Sequence, residues 1–104
     1  MPTVTATAKR SFGFLHLAVN FEGTDGAAER AVIEQALNKA KDWLRYGPDC
    51  WLIYTSRSPK SWSEDLMGLA GMKQHTFFIC EVNIKNRSGW LQRSAWDWIN
   101  KTRD

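Results

Sequence analysis

The feature that most constrains the fold of this chain is the alternation of side chains over residues 12–21. Every second residue of this stretch, from its fourth position on, is a large apolar one: Leu15, Leu17, Val19 and Phe21. Successive side chains of an extended strand point to opposite faces, so a period of two predicts a β-strand with one face in a core. Residues 76–84 alternate in the same way, with Phe77 on one face and Phe78 on the other, and predict a second long strand.

An amphipathic helix and a hairpin are predicted between these two stretches. Four apolar residues recur at helical spacing: Ile33, Leu37, Ala40 and Leu44. They predict a helix with one buried stripe, which Thr24 or Asp25 can cap. Cys50–Thr55 is rich in aromatic and β-branched residues, as strands are. The turn at residues 47–49 joins it to a short strand over residues 43–46, for which the alternative is a last helical turn.

A second helix and a final helix complete the pattern. Ser58 and Pro59 open the second helix, because proline fits a first-turn position, and Ser61 with Glu64 has the spacing of a capping box. The buried stripe of this helix consists of Trp62, Leu66 and Leu69. A short helix near the C-terminus, with Ser94 as its cap, brings four apolar residues to one side: Leu91, Ala95, Trp98 and Ile99.

The order of these elements matches a ferredoxin-like α/β sandwich, βαββαβ, with an added C-terminal helix. We expect one domain over residues 1–104, with residues 1–10 as a flexible arm and residues 11–104 as the α+β unit around an antiparallel sheet. Both long helices then cover one face of the sheet, and we expect the other face, which still carries aromatic and aliphatic residues, to be bare. An exposed apolar patch of this kind indicates a surface that binds a partner, most simply a second copy in a symmetric homodimer.

Composition restricts the class of protein. The chain has 104 residues, a net charge of +3 and 43% hydrophobic residues, which suits a small globular domain that needs no disulfide or metal. Cys50 and Cys80 lie in apolar runs and are expected to be buried reduced thiols. No stretch reaches about 18 apolar residues, so we expect no membrane span and a cytoplasmic location. Six tryptophans are unusually many, and we expect some at a surface or interface.

No catalytic, metal or cofactor motif stands out. Residues 23–26, Gly-Thr-Asp-Gly, could present helix amides to a phosphate, but this composition favours a plain turn. Four carboxylates are candidates for metal chemistry, and none forms a ligand-spaced pair: Glu22, Asp25, Asp49 and Glu81. Cys50 or Cys80 with His16 would make a nucleophilic dyad only if the fold brings them together, and strand-interior thiols are the favoured interpretation.

Basic and aromatic residues interleave near residues 45–51 and 87–96. Cationic side chains contact phosphates and exposed rings stack on bases, so this pattern favours nucleic-acid binding. The candidate nucleic-acid-binding residues are Arg45, Tyr46, Arg87, Trp90 and Arg93. The candidate interface residues are Trp51, Phe77 and Trp96. The alternative is that the tryptophans only pack a thin core and a dimer seam, since aromatic residues are also enriched at protein interfaces.

A family resemblance rests mainly on three runs: FICEVNI over residues 78–84, GWL over residues 89–91 and AWDWI over residues 95–99. They resemble a group of short bacterial proteins of the SinR family, to which residues 43–55 are similar too. That group is in turn similar to the small ferredoxin-fold subunit of CRISPR adaptation machinery and to toxin nucleases. The resemblance implies a homodimer that handles nucleic acid. It also implies a metal-ligating aspartate at the end of the first strand, where this chain has Asn20, a weaker ligand for Mg²⁺.

These features together favour a small homodimeric protein that binds nucleic acid, or a complex that handles nucleic acid, without catalytic residues or a cofactor. One alternative is a protein-interaction or inhibitor module that uses an exposed aromatic sheet face. A second alternative is a metal-dependent nuclease.

Overall fold

The computed structural model describes residues 11–103, so the predicted arm over residues 1–10 lies outside the described residues. The strands of this part are β1 (Gly13–Asn20), β2 (Asp42–Gly47), β3 (Cys50–Thr55) and β4 (Thr76–Val82). The helices are α1 (Ala27–Leu37), α2 (Pro59–Met67) and α3 (Arg93–Ile99), and a short 3₁₀ turn, Met72–Gln74, precedes β4. None of the helices between residues 11 and 103 is long and apolar enough to cross a membrane.

The sheet has the predicted ferredoxin-like arrangement. Its strand order is β2-β3-β1-β4, and each neighbouring pair is antiparallel. β1 lies in the interior of the sheet, where Leu17 is opposite Trp51 of β3 on one side and Ile79 of β4 on the other. With helices after β1 and β3, this order confirms the α+β ferredoxin-like fold.

The core lies between one face of this sheet and helices α1 and α2. Ile33 and Leu37 of α1 are buried, as are Trp62 and Leu66 of α2. Helical spacing places each pair on the side of its helix that faces the sheet. The sheet contributes alternate residues of β1 and β3 to the same cluster: Leu15, Leu17, Val19, Trp51 and Ile53.

The chain after α1 differs from the predicted long helix. α1 ends at Leu37, where the N–H groups of residues 38–40 bond back to carbonyls of its last turn, and Leu44 lies on β2. Residues 43–46 are therefore extended, which confirms the short strand. The cause is tertiary: β2 gains a full antiparallel partner in β3 across the Pro48–Asp49 turn.

The predicted start of α2 at Ser58 and Pro59 is confirmed, but two predicted caps differ from the structure. Ser58 caps α2, because its Oγ accepts a hydrogen bond from the N–H of Ser61 at 3.1 Å. The predicted Ser61–Glu64 capping box is wrong, since Ser61 already lies inside the helix. α3 starts at Arg93 with Gln92 at its cap, so Ser94 too is an internal residue.

The second face of the sheet is only half open, which corrects the expectation that it is bare. α3 packs against β2, and Leu52 and Tyr54 of β3 are buried. Trp98 of α3 packs edge-on against Phe14, with ring centroids 6.0 Å apart. The open half lies over β1 and β4, where the side chain of Phe78 is 67% exposed.

Candidate nucleic-acid interface

A groove of about 630 Å³ lies between the β2–β3 hairpin and the segment that leads into α3. α1 contributes Arg30, the hairpin contributes residues 44–48, and the other wall is formed by residues 90–92 with Ser94 and Ala95. These segments are far apart in the sequence, so the groove exists only because the fold brings them together. It contains three of the five candidate nucleic-acid-binding residues: Arg45, Tyr46 and Trp90.

Trp90 is the most unusual residue of this groove. Its side chain is 99% exposed, although the chain's other tryptophans are buried or half-buried. Full exposure of an indole forgoes roughly 4 to 6 kcal/mol of apolar burial. Both faces of the ring are therefore accessible to a flat partner.

Arg30 places a positive charge on the opposite wall. Its guanidinium donates hydrogen bonds to the carbonyl oxygens of Asp25 at 2.9 Å and Pro48 at 3.0 Å, and it lies over the ring of Phe21. These contacts fix its position without neutralising it. Within residues 11–103 it makes no ion pair, so its charge is available to an anion.

Arg45 lines the same groove as Arg30 but shares its charge with Glu34. Its Nε is 3.4 Å from Glu34 Oε2, which also accepts a hydrogen bond from Trp51 Nε1 at 3.0 Å. Trp51 is 0% exposed, so the prediction that it belongs to an interface is wrong. Its indole lies on the helix-covered face of β3, and Glu34 satisfies its single donor.

Tyr46 is anchored in a neutral form. Its hydroxyl is hydrogen-bonded to Nε2 of His16. Burial raises the pKa of Tyr46 to about 12, with further contributions from Cys50 and Asp49, and burial lowers the pKa of His16. Both side chains are therefore uncharged near pH 7, and Tyr46 offers the groove an aromatic ring rather than a charge.

The two remaining candidate arginines have different positions. Arg93 is exposed in the first turn of α3, between groove residues Gln92 and Ser94. Arg87 donates to the carbonyl of Ile84 and to the side chain of Asn100 at the other end of α3. The structure does not bring Arg87 to the groove. Its contacts hold the β4–α3 connection against the helix.

The remaining interface candidates are half-buried. Phe77 packs against the core between sheet and helices, and Trp96 lies beside Gly89 of the β4–α3 connection. Phe78 and Arg30 were not among the candidate site residues predicted from the sequence. Phe78 could have been found as the aromatic residue on the second face of the last strand. Arg30 could not, because its neighbour Pro48 comes from a distant turn.

Residues 23–26 form a turn, in keeping with the favoured interpretation. The N–H of Gly26 donates to Thr24 Oγ1 at 3.2 Å and the N–H of Ala27 donates to Asp25 Oδ1 at 3.0 Å. The amides that a phosphate would need are thus already paired. Gly26 has a positive φ of 81°, and a Cβ there would lie 2.7 Å from the ring of Phe21, so only glycine fits.

The candidate metal ligands do not assemble into a site. Across residues 11–103 no three His, Cys, Asp or Glu side chains are grouped as metal ligands, and Asn20 donates to Glu22 at 2.8 Å.

Of the candidate dyads, Cys80 lies directly opposite His16 in the β1–β4 register, and Nε2 of His16 is hydrogen-bonded to the hydroxyl of Tyr46. The thiol of Cys50 donates to Asp49 Oδ1 at 3.4 Å. Burial and this contact raise the pKa of Cys50, which keeps the thiol protonated and weakly nucleophilic.

No protein-family model, curated protein or solved structure matches this chain. The resemblance to the SinR family stays a prediction. The function has to be argued from the groove itself, which combines an exposed indole, a second aromatic ring and two arginines.

Proposed function

We propose that this chain is a homodimeric protein that binds single-stranded nucleic acid through the groove between the β2–β3 hairpin and residues 90–95. The observation that carries the proposal is Trp90, which is 99% exposed at the rim of a groove that also contains Arg30 and Arg45. An aromatic ring next to cationic groups is the combination that binds the bases and the phosphates of one strand.

A single strand suits these residues better than a duplex. A base can stack on Trp90 only when it is unpaired and splayed out, and a stacked base contributes about 1 to 3 kcal/mol. Tyr46 offers a second, partly exposed ring in the same groove. Recognition by stacking tolerates any base, so we expect little sequence preference.

The charges of the groove suit a phosphate backbone. Arg30 is fixed by carbonyl oxygens and keeps its full charge. Arg45 is partly compensated by Glu34, and Arg93 adds an exposed cation at the start of α3. With so few cations we expect moderate affinity that decreases as salt is raised.

Titration of the tryptophan fluorescence with an oligothymidylate of about 12 nucleotides tests the proposal, at two salt concentrations and against a duplex of the same length. Stacking on Trp90 should quench its emission. Trp90→Ala should weaken binding by about 5- to 150-fold, which corresponds to the loss of one stacked base, whereas Trp90→Phe should keep part of the affinity.

A pair of matched charge variants separates groove contacts from net charge. Arg30→Ala should lower the slope of log affinity against log salt by about 1. Lys60→Ala removes the same charge from the exposed first turn of α2, outside the groove, and should leave the slope nearly unchanged. Equal effects of both variants, or no binding of the native chain at low salt, would contradict the proposal.

The two other functions have different observable outcomes. A protein-interaction module would not bind oligonucleotides, so the absence of binding in the titration favours a protein ligand for the groove. A metal-dependent nuclease needs converging ligands, and residues 11–103 contain no such group, so we do not propose cleavage.

A further inference from the structure

β4 is an edge strand whose charged residue, Glu81, lies near its end, beyond the apolar segment of residues 77–80. β1 pairs with one side of it, and among residues 11–103 no strand pairs with the other side. Natural edge strands are commonly protected by charged residues, proline or a bulge. The segment from Thr76 to Cys80 contains no charge and no proline, and its pairing with β1 has no register shift.

The side chains of residues 77–79 next to this edge are apolar. Phe78 lies on the open half of the second face and is 67% exposed, and β1 places Ala18 directly beside it. Phe77 and Ile79, on the helix-covered face, are only half-buried although they pack against the core. The edge therefore offers backbone pairing and apolar contacts on both faces of the sheet.

We propose that the outer edge of β4 pairs with β4 of a second copy of this chain, antiparallel about a two-fold axis through Phe78. The inference rests on the homodimer in the proposed function and deepens it, because it locates the interface. Such pairing joins the two four-stranded sheets into one continuous eight-stranded sheet.

The sequence of β4 selects this register. About an axis through Phe78, the opposite pairs are Phe78 with Phe78, Phe77 with Ile79 and Thr76 with Cys80, so every pair is uncharged. Glu81 then lies beyond the paired segment. An axis through Ile79 would instead place Glu81 opposite Phe77, and aromatic pairs are the more stabilising cross-strand contacts.

A disulfide trap tests both the interface and its register. Residues directly opposite each other in an antiparallel pair have Cα atoms about 4.5 to 5.5 Å apart, within the range that a disulfide spans. The variant is Thr76→Cys in a Cys50→Ala background. Its new thiol should form an intermolecular disulfide with Cys80, giving a covalent dimer on a non-reducing gel under mild oxidation.

The control removes only the predicted partner. Adding Cys80→Ala to the same variant should abolish the covalent dimer. Within one chain positions 76 and 80 are about 13 Å apart along the strand, so an internal link cannot account for the result. Absence of the covalent dimer, or its persistence without Cys80, would overturn the proposed register.

Mass measurement by sedimentation tests the interface without any new bond. The native chain should sediment as a dimer at about 100 μM, and Phe78→Glu should give a monomer whose circular dichroism is native. Met67→Glu changes another exposed apolar residue, on α2, and should leave the dimer intact. A native chain that is monomeric at this concentration overturns the inference.

The proposal of the dimer interface and the proposal of the nucleic-acid groove can be contradicted independently of each other. The tryptophan fluorescence of the monomeric Phe78→Glu variant should still be quenched by the oligothymidylate, because Trp90 lines the groove and Phe78 does not. Loss of dimerisation with retained quenching supports both proposals. A native dimer that shows no quenching supports the interface and contradicts the groove.

Discussion

The imidazole of His75 shows how one residue can organise a buried polar network. Its side chain is 0% exposed, and its Nδ1 accepts a hydrogen bond from the N–H of Glu22 at 2.9 Å. The ring proton must therefore be on Nε2, which donates to Glu29 Oε2 at 3.1 Å. The imidazole thus links the end of β1, α1 and the 3₁₀ turn before β4, three segments that no local sequence pattern connects.

Glu29 should give the chain part of its sensitivity to acid. The hydrogen bond from His75 holds the pKa of Glu29 below its ordinary value. A carboxyl whose pKa is lowered in the folded state stabilises the fold above its unfolded pKa of about 4.3, and this contribution is lost as the pH falls through the folded value. Glu29→Gln should therefore flatten the decrease of the unfolding free energy below about pH 5.

Urea unfolding at a series of pH values measures this effect. Glu64→Gln removes the same charge from an exposed position on α2 and serves as the matched control. If the two variants have the same pH dependence, the His75–Glu29 bond contributes nothing to acid stability.

At the scale of elements, the covering of the second sheet face depends on α3 and the residues after it. Arg103 lies over the rings of Trp98 at 4.2 Å, Phe14 at 5.1 Å and Tyr54 at 5.2 Å. It also donates to the carbonyl of Trp98 at 3.0 Å and is 3.7 Å from Asp42. One guanidinium therefore links α3 to β1, β2 and β3.

Removal of Arg103 should loosen α3 without unfolding the sheet. Stacked, mostly desolvated guanidinium groups contribute about 2 kcal/mol, so Arg103→Ala should lower the unfolding free energy by about 1 to 3 kcal/mol. Arg103→Lys keeps the charge but loses the planar stack. Its unfolding free energy should lie between those of the native chain and Arg103→Ala. Amide exchange should accelerate in α3 and remain slow in β1.

Arg93→Ala is the control for this prediction. Arg93 is exposed in the first turn of the same helix, so its removal tests for a general effect of arginine loss. Equal destabilisation by the two alanine variants would show that the aromatic contacts of Arg103 are not responsible.

The elements differ in how far the sequence predicts them, and the reason is physical. β1 and β4 are predicted because a strand buried on one face has a period of two, and β3 is predicted because it is rich in aromatic and β-branched residues. Leu44 misled the helix prediction because its spacing fits α1 although β2 gains a strand partner. Three residues of the predicted stripe, Ala95, Trp98 and Ile99, lie on α3, whereas Leu91 precedes the helix, and no local pattern states which surface the stripe covers. That missing partner is why the second face was expected to be bare.

At the scale of the molecule, the groove is a property of the topology. Trp90 and Arg45 could be selected from the sequence as aromatic and basic residues. Their meeting with Arg30 depends on the hairpin turn reaching α1 and on the β4–α3 connection crossing to β2. A prediction from residue type alone therefore selected Arg87 as well, which the structure places at the far end of α3.

The hydroxyl of Tyr46, which is hydrogen-bonded to His16, ties this groove to the sheet, and its burial should appear in the alkaline stability of the whole chain. The pKa of Tyr46 is raised to about 12, so its contribution is fully present below the unfolded value of about 10 and is lost as the pH rises through the folded value. Because the side chain is partly exposed, solvent screening reduces the effect to about 1 kcal/mol. Tyr46→Phe should therefore be less stable than the native chain at pH 8 and should lose less stability between pH 9 and 12.

Measuring the difference between variant and native chain removes the contribution of lysine deprotonation, which both share. Tyr54→Phe alters the chain's other tyrosine, which lies under Arg103 rather than in the groove, and reports what a tyrosine outside this contact contributes. If Tyr46→Phe follows the native curve throughout, the burial of the neutral Tyr46 hydroxyl contributes nothing to stability and the second ring of the groove is not anchored by it. A variant that matches the native chain only near pH 12 would confirm that the neutral hydroxyl stabilises the fold.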